Sequence, residues 1–273
     1  MLSTFIIALR EGLEAALIVG ILVAYLVKSE RRRHLRALWS GVALAIALSL
    51  ALGAFLSYTS AELTTKGAEI FAGTTSFVAV ALVTWMVFWM KRAGRGLRAE
   101  LHGKTEVAVA SGALSMALLA FFAVAREGLE TSLFLYTNFQ TVGAISTATL
   151  GLLLGLAASV ALGFGIYNRS VKIDLSKFFT YSGVALIVVA GGVLSYGIHE
   201  FQEFGLIPGA DAFVWDVTSW MPKDSLVASL LGGTIGFDTT TSWFQLIIWA
   251  AYLGLVIAAY LSKPAKVKTL IQG

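Results

Sequence analysis

Arg10-Glu11-Gly12-Leu13-Glu14 and Arg126-Glu127-Gly128-Leu129-Glu130 are the same five residues, and each copy sits inside a long apolar run, Leu2–Val27 and Val107–Asn138. The flanks agree at the same offset: Phe5 with Phe121, Ala16 with Ser132, Leu17 with Leu133. Charges in the middle of a run long enough to cross a bilayer are costly unless they face a protein interior. Their duplication marks a repeat, and the spans lying between the copies decide its orientation.

The rest of the chain fits a membrane setting. Of its 273 residues 58% are hydrophobic and 13% charged, against about 25% charged in soluble domains. That deficit excludes a soluble enzyme, and the apolar content excludes disorder. Cysteine is absent, so disulfides, zinc–thiolate sites and a cysteine nucleophile are excluded. A spanning helix needs about 20 apolar residues. Seven runs qualify: Leu2–Val27, Leu38–Tyr58, Ile70–Met90, Val107–Asn138, Gly143–Tyr167, Phe178–Ile198 and Trp243–Leu261. They are continuous rather than alternating, which predicts helices and not barrel strands. The first is not read as a cleaved leader: no basic stretch precedes it and the motif interrupts it.

The charges orient the bundle. Lys28, Arg31, Arg32, Arg33 and Arg36 fill one loop, and Lys91, Arg92, Arg95, Arg98 and Lys104 the next on that side. Arg169, Lys172 and Lys177, then Lys263, Lys266 and Lys268, follow there. The opposite loops hold only Lys66 and Lys223 among basic residues, against Glu62, Glu69, Glu200, Glu203, Asp211, Asp216, Asp224 and Asp238. Basic loops stay cytoplasmic, so the N-terminus is expected outside and the C-terminus in the cytoplasm, as seven spans require. The formal net charge of +4 is then a topology signal, not a nucleic-acid footprint.

The second copy lies three spans on from the first, in span four against span one, so the copies run in opposite directions. The expected fold is an all-α membrane protein with a 3+3 inverted-topology repeat plus one C-terminal helix. The single polytopic domain, 1–273, divides into repeat 1 (1–105), repeat 2 (106–198), an outer loop (199–242), and the seventh span with a cytoplasmic tail (243–273). Trp39, Trp85, Trp89 and Trp243 fall near span ends, where indole rings favour the headgroup level. Gly151-x-x-x-Gly155 permits close helix approach.

Inverted repeats place transport sites near the midplane at the repeat interface. Glu11 and Glu14 lie about 14–18 Å below the start of the first span. Each Glu pair is spaced i, i+3, so its carboxylates share a helix face. The four carboxylates and two guanidiniums, Glu11, Glu14, Glu127, Glu130, Arg10 and Arg126, then converge with a surplus of negative charge. A structural Arg–Glu network explains one Glu per Arg and leaves two carboxylates over. A multivalent cation satisfies them, and carboxylate oxygens favour hard ions. Ligating carboxylates must be deprotonated, so metal entry is expected to displace protons.

These residues resemble the high-affinity iron permease family, which includes bacterial EfeU-type transporters and the yeast oxidase-dependent permease. The resemblance rests on the duplicated motif and on His199-Glu200-Phe201-Gln202-Glu203 after the sixth span. It implies that Glu11, Glu14, Glu127 and Glu130 bind iron in transit with Arg10 and Arg126 as partners, and that Glu200 and Glu203 capture iron at the outer mouth. It also implies a multi-pass protein of the bacterial inner (plasma) membrane, importing Fe(III) made by a separate extracytoplasmic partner such as a haem peroxidase or a cupredoxin-like protein. The iron ion is cargo, and no permanent cofactor is expected. His199 is a candidate ion-pair or gating residue, with a plain interfacial histidine as the alternative. A permease of another hard divalent cation, such as manganese, remains the main alternative. A membrane-embedded carboxylate–metal enzyme is disfavoured, because di-iron bundle sites use Glu-x-x-His pairs and the glutamates here lack such a histidine. The expected class is therefore not an enzyme.

Overall fold

A computed structural model describes residues 1–93, 97–142, 145–168, 174–222 and 225–262. Arg95, Arg169, Lys172, Lys223, Asp224 and the tail lysines Lys263, Lys266 and Lys268 lie outside the described residues.

The architecture is that of an all-α membrane protein. Long helices form α1 (Leu2–Lys28), α2 (Leu35–Glu62), α3 (Thr65–Ala93), α5 (Ala113–Val142), α6 (Ile145–Tyr167), α7 (Leu175–Glu203) and α9 (Trp243–Leu261). Shorter helices are α4 (Leu97–Ser111) and α8 (Leu226–Ile235). Among the described residues, α2, α3, α6, α7 and α9 are both long and apolar enough to cross a membrane. α1 and α5, of 27 and 30 residues, have the length but carry the motif's charges.

The run Val107–Asn138, expected as one span, divides at Gly112. Gly112 has φ +107°, a left-handed conformation that an L side chain resists. Its N–H donates to the Ala108 carbonyl at 3.1 Å and so closes α4. Val107–Ser111 therefore belong to α4, and α5 starts afresh at Ala113. The spacing of apolar residues does not reveal the break, because both sides of it are apolar.

α1 packs along α6, α2 along α5, and α3 along α7, while α1 and α5 also face one another and α9 lies on α7. Small residues set these distances. A Cβ on Gly155 would lie 2.6 Å from the Phe5 carbonyl oxygen and 2.8 Å from the Ala8 methyl. Gly41 of α2 sits as closely on the Ala117 carbonyl of α5. In lipid, where apolar surfaces gain nothing by leaving water, such close backbone contact drives association.

The segment read as an outer loop has structure of its own. α7 continues through His199 to Glu203. Phe213–Asp216 (β1) and Thr240–Ser242 (β2) then pair antiparallel, and α8 lies between them in sequence. Ser242 anchors this ribbon. Its Oγ donates to Gln202 at 3.0 Å and caps α9 by accepting from the Gln245 N–H. α8 packs on α7, α5 and α1, and its closing residue Gly236 (φ +75°) lies so near Gly192 of α7 that neither has room for a Cβ.

Candidate metal centre

The centre lies where α1 crosses α5. Ser3 Oγ donates to Asn138 Oδ1 at 3.0 Å at one end of the contact. Ile7 and Phe134 share a core cluster, and Glu14 approaches Glu127 further along. Residue numbers rise on one helix as they fall on the other, so the two run antiparallel. At about 1.5 Å per residue, Arg10 then lies some 7 Å nearer the Ser3 end than Arg126 does. The two arginine backbones thus flank the carboxylates, while each side chain reaches along its own helix to the glutamate four residues on.

One carboxylate oxygen each from Glu11, Glu14 and Glu127 lies within 4.8 Å of the others, and all three residues are buried. This is the one such group of three among the described residues. Glu130 is held aside: Arg126 Nε donates to its Oε1 at 3.1 Å. Arg10 Nε makes the matching i,i+4 ion pair with Glu14 at 3.1 Å. Each arginine is further from its neighbour in the motif, Arg10 from Glu11 at 3.8 Å and Arg126 from Glu127 at 4.0 Å.

The pairing leaves oxygens over. Both carboxylate oxygens of Glu11, Oε2 of Glu127 and Oε2 of Glu130 are buried without a hydrogen-bond partner. Buried anionic oxygens without partners cost several kcal/mol, and a hard cation is the ligand that their chemistry fits.

The motif glycines do a specific job. A Cβ on Gly12 would strike the Ser159 hydroxyl of α6, and one on Gly128 the Ser49 hydroxyl of α2. They let each charged helix press against its apolar partner at the level of the carboxylates.

The surroundings of the arginines differ. Arg10 is 1% exposed, and its Nη2 donates to Met86 Sδ at 2.9 Å. The Arg126 side chain is 32% exposed, and its Cζ lies 4.0 Å from the centre of the Trp89 ring and 5.9 Å from that of Trp85. Trp89 was expected at the headgroup level, and Met86 carried no sequence signal. Both are on α3, one helical turn apart, and only packing shows that they meet the two arginines.

The residues expected at the outer mouth lie apart from this cluster. Glu203 is exposed and pairs with His199 Nε2 at 3.8 Å. Glu200 is half-buried, accepts from the Tyr196 hydroxyl and has Glu69 as an electrostatic neighbour. Glu69 carried no motif signal, since a lone acid at a span end reads as solvated.

A helical membrane protein that buries a carboxylate–guanidinium cluster between antiparallel helices falls in the class whose buried charges mark ion pathways, proton relays, voltage sensors or ligand counter-ions. The comparison with known families makes this specific: the chain belongs to the iron permease FTR1 family, whose model matches residues 1–270. It is 36% identical over 267 residues to the ferrous iron permease EfeU of Escherichia coli O6:H1 (strain CFT073), covering 97% of this chain and 96% of that one. The EfeU of Yersinia pestis is 36% identical over 256 residues, covering 93% and 90%. No solved structure matches. The resemblance read from the duplicated motif is borne out, and the relatives are permeases, not enzymes.

Proposed function

We propose that this protein imports iron across the bacterial inner membrane, through a midplane site made by Glu11, Glu14, Glu127 and Glu130 with Arg10 and Arg126. The observation that carries the reading is the trio Glu11, Glu14 and Glu127, whose oxygens converge within 4.8 Å while both oxygens of Glu11 lack a hydrogen-bond partner. Such a site binds a hard multivalent cation and offers a dehydrated ion a replacement shell.

The inverted repeat is part of the proposal: seven spans, 1–105 set against 106–198, with the N-terminus outside. Its support is that the packing maps onto itself when α1–α3 are exchanged with α5–α7. α1 on α6 becomes α5 on α2, and α3 on α7 is unchanged. The contact of Gly12 with Ser159 likewise becomes that of Gly128 with Ser49.

Glu200 and Glu203 serve as the outer capture site in this reading, beside His199. Iron arrives there as Fe(III) from a separate oxidising partner, a form suited to all-oxygen ligation. A second reading, ferrous cargo, is favoured by the EfeU relatives, which are known as ferrous iron permeases. The test is uptake of radiolabelled iron by metal-starved cells, with ferrous and ferric iron presented separately and manganese as competitor. Glu14→Gln and Glu130→Gln at matched surface amount should abolish uptake. Normal uptake by both variants sinks the midplane site, and transport of manganese alone sinks iron as the cargo.

A further inference from the structure

The two arginines of the centre are chemically equal and differently housed. Arg10 is enclosed, with its guanidinium between Glu14, Glu11 and Met86. Arg126 has two seats at once. Its Nε is on Glu130 at 3.1 Å, while the face of its guanidinium lies 4.0 Å over the Trp89 ring. Its Nη2 is buried without a hydrogen-bond partner. At membrane depth the negative face of an indole is one of the few apolar groups that stabilises a cation.

We infer that Trp89 is a positioning residue for transport: it holds the Arg126 guanidinium when the ion takes Glu127 and Glu130, so that Arg126 works as a tethered cation exchanging with the cargo. The inference rests on the proposed midplane iron site. When a multivalent cation binds, Glu130 turns from Arg126 to the ion, and a guanidinium left beside that ion is repelled by it. The ring, already 4.0 Å away, is the partner that stays with the guanidinium when Glu130 turns aside. As the ion departs, Arg126 returns to the carboxylates and stops the ion from rebinding. Arg10, sealed and 1% exposed, has no such second seat and keeps its pairing throughout.

The arrangement assigns Trp89 an effect on apparent affinity. Replacing the ring by an aliphatic side chain removes the second seat, so the ion-bound state loses stability. Trp89→Leu should raise the half-saturation concentration for iron about 5- to 30-fold, the range of a desolvated cation–π contact, with the maximal rate unchanged. Trp89→Phe and Trp89→Tyr should recover most of the affinity. Trp85→Leu, at 5.9 Å, should show the same change in weaker form.

Tryptophan analogues with successive ring fluorines at position 89 keep the shape and weaken the negative face. Half-saturation should climb with each fluorine, a dependence that no packing role produces. They also decide the matter if Trp89→Leu fails to reach the membrane. A flat fluorine series, or a Leu variant with wild-type half-saturation, overturns the inference. Glu14→Gln in the same cells separates the two levels: a flat series with uptake still dependent on Glu14 removes the role of Trp89 alone, whereas uptake independent of Glu14 removes the midplane site beneath it.

Discussion

The two motif copies have identical residues and unlike surroundings. Arg10 is shut between α1 and α3, whereas Arg126 is a third exposed and shared between Glu130 and an aromatic ring. Identity of sequence therefore does not make identity of role. The contacts Gly12 on Ser159 and Gly128 on Ser49 match one another in the two motif copies. The difference made at α3, Met86 against Arg10 and Trp89 against Arg126, leaves one side of the cluster closed and the other within reach of the surface. In the proposed transport role such inequality is useful, because an ion must be held on one side while it leaves by the other.

The comparison breaks most easily at the carboxylates. Glu11→Gln removes the one glutamate whose two oxygens both lack a hydrogen-bond partner among the described residues and should lower iron uptake by about 100-fold or more, since a lost charged ligand costs about 3 kcal/mol or above. Uptake near the wild-type level would show that the trio is not the ion's site.

Next come the arginines. Arg10→Met leaves Glu14 buried without its cation, a loss of about 3–5 kcal/mol. The amount of folded protein in the membrane should fall. Arg126→Met should lose transport while accumulating nearly as wild type, because its position is partly exposed. Thermal stability of the two purified variants in detergent checks the ranking, and equal melting temperatures would erase the distinction between sealed and open.

The glycines test the symmetric part. Gly12→Ala and Gly128→Ala should each destabilise by about 1–3 kcal/mol through overpacking, and by similar amounts. Ser159→Gly should relieve the first and Ser49→Gly the second. Melting curves of the two double variants measure this, and rescue of one copy alone would mean that the halves do not pack alike.

The smallest effect is expected at the outer mouth. Glu200→Gln should raise half-saturation several-fold and Glu203→Gln less, because Glu200 is half-buried beside Tyr196 and Glu69 whereas Glu203 is exposed. The reverse order in uptake titrations would assign capture to the exposed acid.

Much of this was legible in the residues. Apolar runs and the i, i+3 glutamates are local patterns, and seven of the helices follow the runs closely. Gly112 was not legible as a break, because one glycine within an apolar stretch looks like any other small residue. The ribbon of β1 and β2 and the seating of α8 on α7 were hidden for another reason. They depend on Ser242 meeting Gln202 and on Gly236 meeting Gly192, pairs separated by some forty residues.

By itself the sequence determined the membrane class, the helical runs, the doubled motif and the carboxylates that belong together. These follow from hydropathy, helical periodicity and the cost of charge in lipid, all of which act within a few turns of chain. The tertiary structure decided which carboxylate oxygens stay unpartnered, that Arg10 is sealed and Arg126 open, and that Met86 and Trp89 of α3 attend them. Those outcomes depend on how helices distant in sequence rotate against each other, and a single helix carries no record of the face its neighbour will present.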